Sequence, residues 1–161
     1  MIILRIYWRV CSLFKLFLFK LLFGSRFHFP VDSSFRKNFG LYVGKNARIR
    51  VGHNVFFNRG CAINCLEYVE IADNCIFGEN VKIYDQNHRF SSRGEIIRKQ
   101  GYNTAPVKIG SDCWICTNVV ILKGVTIGNH CVIGAGCVVN RDIPDNSIVR
   151  SQTNLVIEEL H

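Results

Sequence analysis

The sequence has no long hydrophobic run free of charge. Its most apolar stretch, IILRIYWRVCSLFKLFLFKLLF at residues 2–23, is interrupted by Arg5, Arg9, Lys15 and Lys20. A cleaved signal peptide needs an unbroken apolar core, and a spanning helix needs about 20 mostly uncharged residues; both are excluded. Acids are missing from the same region. None precedes Asp32, so five of the eight excess positive charges, on Arg5, Arg9, Lys15, Lys20 and Arg26, lie at the N-terminal end. The remainder is an ordinary, mildly basic surface. Nothing in it resembles an RNA-binding motif or a zinc finger, so the net charge of +8 does not point to nucleic acid.

What the chain has instead is a repeat of six. From Ile109 it reads IGSDCW, ICTNVV, ILKGVT, IGNHCV, IGAGCV, VNRDIP. The first position is Ile109, Ile115, Ile121, Ile127, Ile133 and Val139; the fifth is Cys113, Val119, Val125, Cys131, Cys137 and Ile143. No helix has a period of six, and a lone strand has a period of two. A sustained hexad predicts a parallel β-helix, in which each unit is a short strand and a turn. Position one then points inward and position five must be compact. Position two, glycine at Gly110, Gly128 and Gly134, sits at a crowded turn. Three hexads close one triangular coil, which predicts Ile109 stacked under Ile127.

The eight cysteines follow the same register. Cys61, Cys75, Cys113, Cys131 and Cys137 fall on the small inward position, where cysteine serves as a compact hydrophobe. Unpaired buried thiols fit a reducing compartment. Cys113 and Cys116 have a redox or zinc spacing, but they straddle two hexads and face different ways.

Ahead of the repeat, residues 1–30 form a distinct segment. At about 100° per residue, Arg5, Arg9, Ser12 and Lys20 share a narrow sector with Lys15 at its border, and the rest of the circumference is apolar and aromatic. This predicts a helix lying in a membrane interface, the alternative being one packed on the β-helix or on a neighbouring subunit. Gly24 and Pro30 end it. In residues 31–161 the hexads begin at Leu41, less regularly, with two-residue insertions before Val51 and before Ile71. From Ile83 to Ile109 there are 26 residues where continuous coiling would give six. The excess must leave the coil as a loop, 84–108, which opens with Asp85, Asn87 and His88. Loops this long in compact domains are usually functional or disordered.

These residues carry a family resemblance over about residues 41–149. DQNHRF at 85–90, the excursion after it, and PVKIGSDCWICTNVVILKGVTIGNHCVIGAGCVVNRDIPDNSIV at 106–149 resemble the hexapeptide-repeat acyltransferases. The nearest branch is the maltose, galactoside, nodulation-factor and surface-polysaccharide O-acetyltransferases. The resemblance implies an all-β, left-handed parallel β-helix and a homotrimer with active sites between neighbouring subunits. It implies acetyl-CoA as co-substrate, no metal, and a sugar or lipid-linked glycan as acceptor. The flat outer faces of the coils and the reach of the loop also favour a trimer.

Moving an acetyl group from a thioester to a hydroxyl needs a base of near-neutral pKa, which is a histidine's property. His28 lies in the flank, His53 and His130 occupy outward third and fourth hexad positions, and His161 is terminal. His88 stands where the coil opens, and the resemblance makes it the catalytic base, with Asp85 as its possible orienting partner. By the same resemblance the backbone N–H of Thr117 receives the oxyanion, and the pantetheine arm runs near Trp114, Thr117, Ala135 and Gly136. Arg141 matches a position facing the nucleotide phosphates, or is a solvated arginine beside Asp142. Asn58, with Asn87, is assigned to the acceptor; Asn58 is equally a residue chosen for a turn. The chain departs from the family at Cys116, at Ala72, and at Ser151-Gln152-Thr153-Asn154, where relatives carry a Gly-Asn-Pro-Ala turn closing the coenzyme end. Two other readings are a non-catalytic membrane scaffold and a zinc carbonic anhydrase of the same fold; the latter needs further histidines near His88, and none follows for forty residues. The compartment expected is the cytoplasm, with peripheral binding to an anionic membrane surface on the cytoplasmic face of the inner membrane.

Overall fold

A computed structural model describes residues 2–151, with side chains from Tyr7 onward. The side chain of Arg5, the departure at Gln152–Asn154 and His161 therefore lie outside the described residues. After an N-terminal helix, Ile2–Phe23, the chain winds as a parallel β-helix of about six turns. Its first face stacks Phe27–His28, Arg48–Val51, Tyr68–Ile71, Val107–Ile109 and Thr126–Ile127. The second stacks Ser34–Phe35, Phe56–Phe57, Ile76–Phe77, Trp114–Ile115, Val132–Ile133 and Ile148–Val149. The third stacks Gly40–Val43, Ala62–Cys65, Lys82–Tyr84, Val120–Ile121 and Val138–Val139.

The hexad register is the packing register. Ile109 pairs with Ile127, Ile115 with Ile133 and Ile121 with Val139. Every first-position residue from Ile109 to Val139 is buried, as are the fifth-position residues Cys113, Val119, Val125, Cys131 and Cys137. The thiols act as the sequence reading requires: those of Cys113 and Cys131 donate to the carbonyls of Gly128 and Pro144 at 3.1 and 3.2 Å. At Gly110 a Cβ would lie 2.7 Å from the carbonyl carbon of Gly128, so only glycine lets the turns stack there. The fourth position has a rule of its own. Asn54, Asn74, Asn80, Asp112, Asn118 and His130 have φ between 54° and 62°, the left-handed region that short polar side chains tolerate best.

The coiling begins at Phe27, ahead of both Leu41 and residue 31. The sequence pattern misses this first coil because phenylalanines replace aliphatics in it. The two-residue insertions lengthen strands, and an even number keeps alternate residues inward: Ile49 and Val51 are both buried, as are Val69 and Ile71. The wider early coils are filled by Phe29, Phe35, Phe39, Phe57 and Phe77, with Phe57 stacked on Phe77 at 4.4 Å.

The helix lies across the open end of the first coil, with Leu16 buried and Phe19 and Phe23 packed on the core. Part of its polar stripe, Arg9, Ser12 and Lys15, faces inward, while Lys20 is exposed. Arg9 donates to the carbonyls of Ser33, at 3.2 Å, and Val31; Lys15 donates to that of Phe39 at 2.6 Å. Just after the helix, Arg26 reaches the carbonyls of Gly44 and Lys45. These are the acceptors of a coil that has none below it. Arg9 and Lys15 cap the β-helix, the arrangement of a helix packed on the coils, and burial lowers the pKa of Lys15. No helix among the described residues is long and apolar enough to cross a membrane.

Two substitutions probe this arrangement in urea denaturation. Phe57→Ala is expected to cost about 3–5 kcal/mol, since its ring is central to the aromatic stack. Lys15→Met, which keeps the apolar stem and removes the donor, is expected to cost about 1–3 kcal/mol through the unpaired Phe39 carbonyl. A Lys15→Met variant as stable as the parent would show that the cap carries no weight.

Candidate active site

The excursion leaves the third face after Tyr84 and returns at Val107. It is an ordered arm rather than a structureless loop. Gln86–His88 pairs antiparallel with Tyr102–Thr104, setting His88 opposite Tyr102. The His88 ring is exposed and rests on that of Tyr102, with centroids 4.4 Å apart. The base of the arm is tied to the coil by Ala105 N–H to the Asp85 carbonyl at 2.9 Å and Gly124 N–H to the Ala105 carbonyl at 3.1 Å. Near the tip, the Gln100 amide accepts from Ser92 N–H and donates to the carbonyls of Ser92 and Glu95.

Asp85 does not orient His88. It is fully buried at the root of the arm, and its carboxylate accepts from the backbone N–H groups of Leu66, Glu67 and Tyr68 at 2.7 to 3.0 Å and from the Cys65 thiol at 3.2 Å. The sequence places Asp85 near His88, but strand alternation turns it to the core. Burial first, and the Asp85 carboxylate second, push the Cys65 thiol above its usual range, so it stays a donor and not a nucleophile.

Two rival histidines are already engaged. His53 Nδ1 lies 2.9 Å from Asp32, which raises its pKa, and His130 Nδ1 lies 2.8 Å from Asp112. Cys113 is inside the coil while Cys116 sits at a turn, so the C-x-x-C spacing does not bring the thiols together. Among the described residues no group of three or more His, Cys, Asp or Glu side chains converges.

The residues assigned to the coenzyme fall at another corner of the triangle. Trp114, 53% exposed, stands on the second face between Ile76 and Val132. Thr117, Ala135 and Gly136 follow at the corner between the second and third faces, where Gly136 N–H donates to the Thr117 carbonyl at 3.0 Å. The Thr117 N–H has no acceptor among the described residues and lies against the backbone of Gly78 in the coil before it. Asn58 shares this corner two coils earlier; its side chain accepts from Arg59 N–H at 2.9 Å, the turn-forming role. Asn87 is exposed on the arm opposite Asn103. Arg141 is exposed and lines a cavity of about 210 Å³ at the last coils together with Arg150; Asp142 is occupied with Thr126 N–H instead. Two residues escaped the sequence reading. Tyr102 is found only once the arm is known to pair as a hairpin, and Arg150 only once the last coil is closed.

The bacterial transferase hexapeptide pattern of six repeats matches residues 106–141. The galactoside O-acetyltransferase of Escherichia coli K12 is 33% identical over 125 residues, 75% of this chain and 59% of that protein. A hexapeptide-repeat acetyltransferase of Vibrio cholerae, solved with acetyl coenzyme A, is 31% identical with a TM-score of 0.66, covering 80% of this chain and 67% of that one. A maltose O-acetyltransferase of Clostridium difficile 630 is 33% identical with a TM-score of 0.61 over 80% of this chain and 67% of its own. The chain spans between 33% and 60% of the length of the curated relatives it matches.

The buried carboxylate yields a prediction that separates scaffold from chemistry. Asp85→Ala leaves three backbone donors unpaired and is expected to destabilise the fold by about 3 kcal/mol, read as a lower thermal midpoint. It is expected to leave the His88 side-chain NMR signals at fixed pH unchanged. Displaced His88 signals with an unchanged midpoint would restore Asp85 to the orienting role.

Proposed function

The chain belongs to the hexapeptide-repeat transferase family, and from that membership we propose that it transfers the acetyl group of acetyl-CoA to a hydroxyl of a sugar. The observation that carries the reading is the exposed imidazole of His88, held on a pinned arm against Tyr102. In this reading His88 accepts the proton of the acceptor hydroxyl, and the oxygen attacks the acetyl carbonyl carbon. The carbonyl electrons move to an oxyanion that the Thr117 N–H receives. Collapse breaks the carbon–sulfur bond, and the coenzyme thiolate leaves with the proton held by His88. The cysteines are buried or half-buried and offer no exposed nucleophile, which supports direct transfer within a ternary complex.

His88 and Thr117 stand at different corners of one triangular coil. A site that uses both is completed by His88 of one copy facing the Thr117 corner of another, which supports assembly as a homotrimer with three shared sites. The exposed apolar side chains near the end of the arm, Phe90, Ile96 and Ile97, are suited to lie on that neighbour. Arg141 and Arg150 give the last coils a positive cavity suited to the coenzyme phosphates. The setting proposed is the cytoplasm, where acetyl-CoA is made, and the assembly of a surface polysaccharide on a lipid-linked acceptor.

His88→Ala is expected to lower kcat by about 10²–10⁴-fold while acetyl-CoA binding, measured by calorimetry, stays near that of the parent. A variant that acetylates its acceptor at the parental rate removes His88 as the base. Sedimentation velocity at assay concentration is expected to give a trimer; an active monomer would refute the shared site.

A further inference from the structure

The N-terminal helix covers the face expected to be free and leaves free the face expected to be covered. Its outward stripe, Tyr7, Val10, Phe14, Phe17 and Leu21, advances in steps of three and four and is 58% to 73% exposed. Leu13 and Leu22 are also exposed, and at 100° per residue the apolar arc between them spans about 180°. A seam for pairing with another helix is narrower; half a circumference is the width of a helix lying in the plane of a bilayer interface.

The charge of the chain is divided along the same axis. Residues 1–66 carry 11 of the 20 Lys and Arg and 1 of the 12 Asp and Glu, leaving 9 and 11 to the remainder, or +10 against −2. Because the coils stack in chain order, this division along the sequence is a division along the molecule. The lone acid, Asp32, is itself paired with His53. Arg36, Lys37, Lys45 and Arg48 are exposed on the first two coils beside the helix, with Arg36 held over the Phe56 ring at 5.4 Å. An uncharged apolar partner answers only the helix stripe, and a second +10 end repels the first. An anionic lipid surface answers both features.

We propose that this end of the molecule docks end-on to an anionic lipid bilayer, with the outward stripe of the helix at the acyl boundary and the cations of the first two coils among the headgroup phosphates. The cations that serve are those of the coils; Arg9 and Lys15 are bound to backbone carbonyls. The docking is independent of the reaction proposed above and is tested without it.

The test is sedimentation of the full-length protein with vesicles of phosphatidylcholine alone or mixed equally with phosphatidylglycerol. The protein is expected to sediment with the mixed vesicles and to be released by salt. Arg36→Gln, Lys37→Gln and Arg48→Gln together are expected to weaken that partition about 10²-fold, three charges at about 1 kcal/mol each. Phe14→Ser, Phe17→Ser and Leu21→Ser together are expected to abolish it. All these residues are exposed and the capping residues are kept, so circular-dichroism melting should match the parent. Parent protein left in the supernatant overturns the proposal, as does undiminished binding of either triple variant. So does a serine variant that falls from trimer to monomer without vesicles, which would assign the stripe to a second copy.

Discussion

Each coil of this molecule is hydrogen-bonded only to the coil before it and the coil after it. Such a ladder satisfies every interior backbone group and none at its ends, so a parallel β-helix must dispose of two rows of bare acceptors and donors. At the N-terminal end the solution is a helix that turns its guanidinium and ammonium groups inward to the carbonyls of the first coil. That choice settles much else. It places apolar side chains on the outside, concentrates cations at one end, and fixes a first surface of phenylalanines on which wider coils are built.

How much was legible depends on what the local chemistry repeats. From Ile109 to Val139 each inward side chain touches its own kind in the next coil, so the pattern is written once per hexad and reads off directly. The first coil is hidden because Phe27, Phe29, Phe35 and Phe39 fill the core where the later coils use branched aliphatics. The helix was readable as amphipathic, but a stripe of Arg9, Ser12 and Lys15 does not say what its partner is. Backbone carbonyls, which leave no mark in a sequence, proved to be that partner. Asp85 was misread for a similar reason: its partners are three consecutive backbone N–H donors of the Leu66–Tyr68 turn, and any side chains there would have served. His88 stood out in the sequence as a histidine opening a long excursion from a regular repeat, and the structure places it exposed on the arm beside Tyr102.

The candidate site follows from the triangular section. Residues on one edge of a prism converge on a ligand only if something spans a face or another prism supplies the opposite edge. Here the arm carries His88 out from one edge, and the Thr117 N–H, with Ala135 and Gly136, waits on another. The candidate residues are therefore distributed by the fold rather than gathered in a pocket. Rigidity of the arm, through Gln100 at the tip and Ala105 at the root, lets a side chain so far from the core keep a fixed position.

The helix precedes the coils it caps, and this has a bearing on synthesis. A stack with nearest-neighbour pairing can grow by propagation from any finished surface, and N-terminal parts of a chain emerge first at about 5–20 residues per second. Here the end plate emerges before the coil whose carbonyls it holds. Each later coil meets an edge whose far side is already closed, so one growing edge alone is open to a wrong partner at any moment.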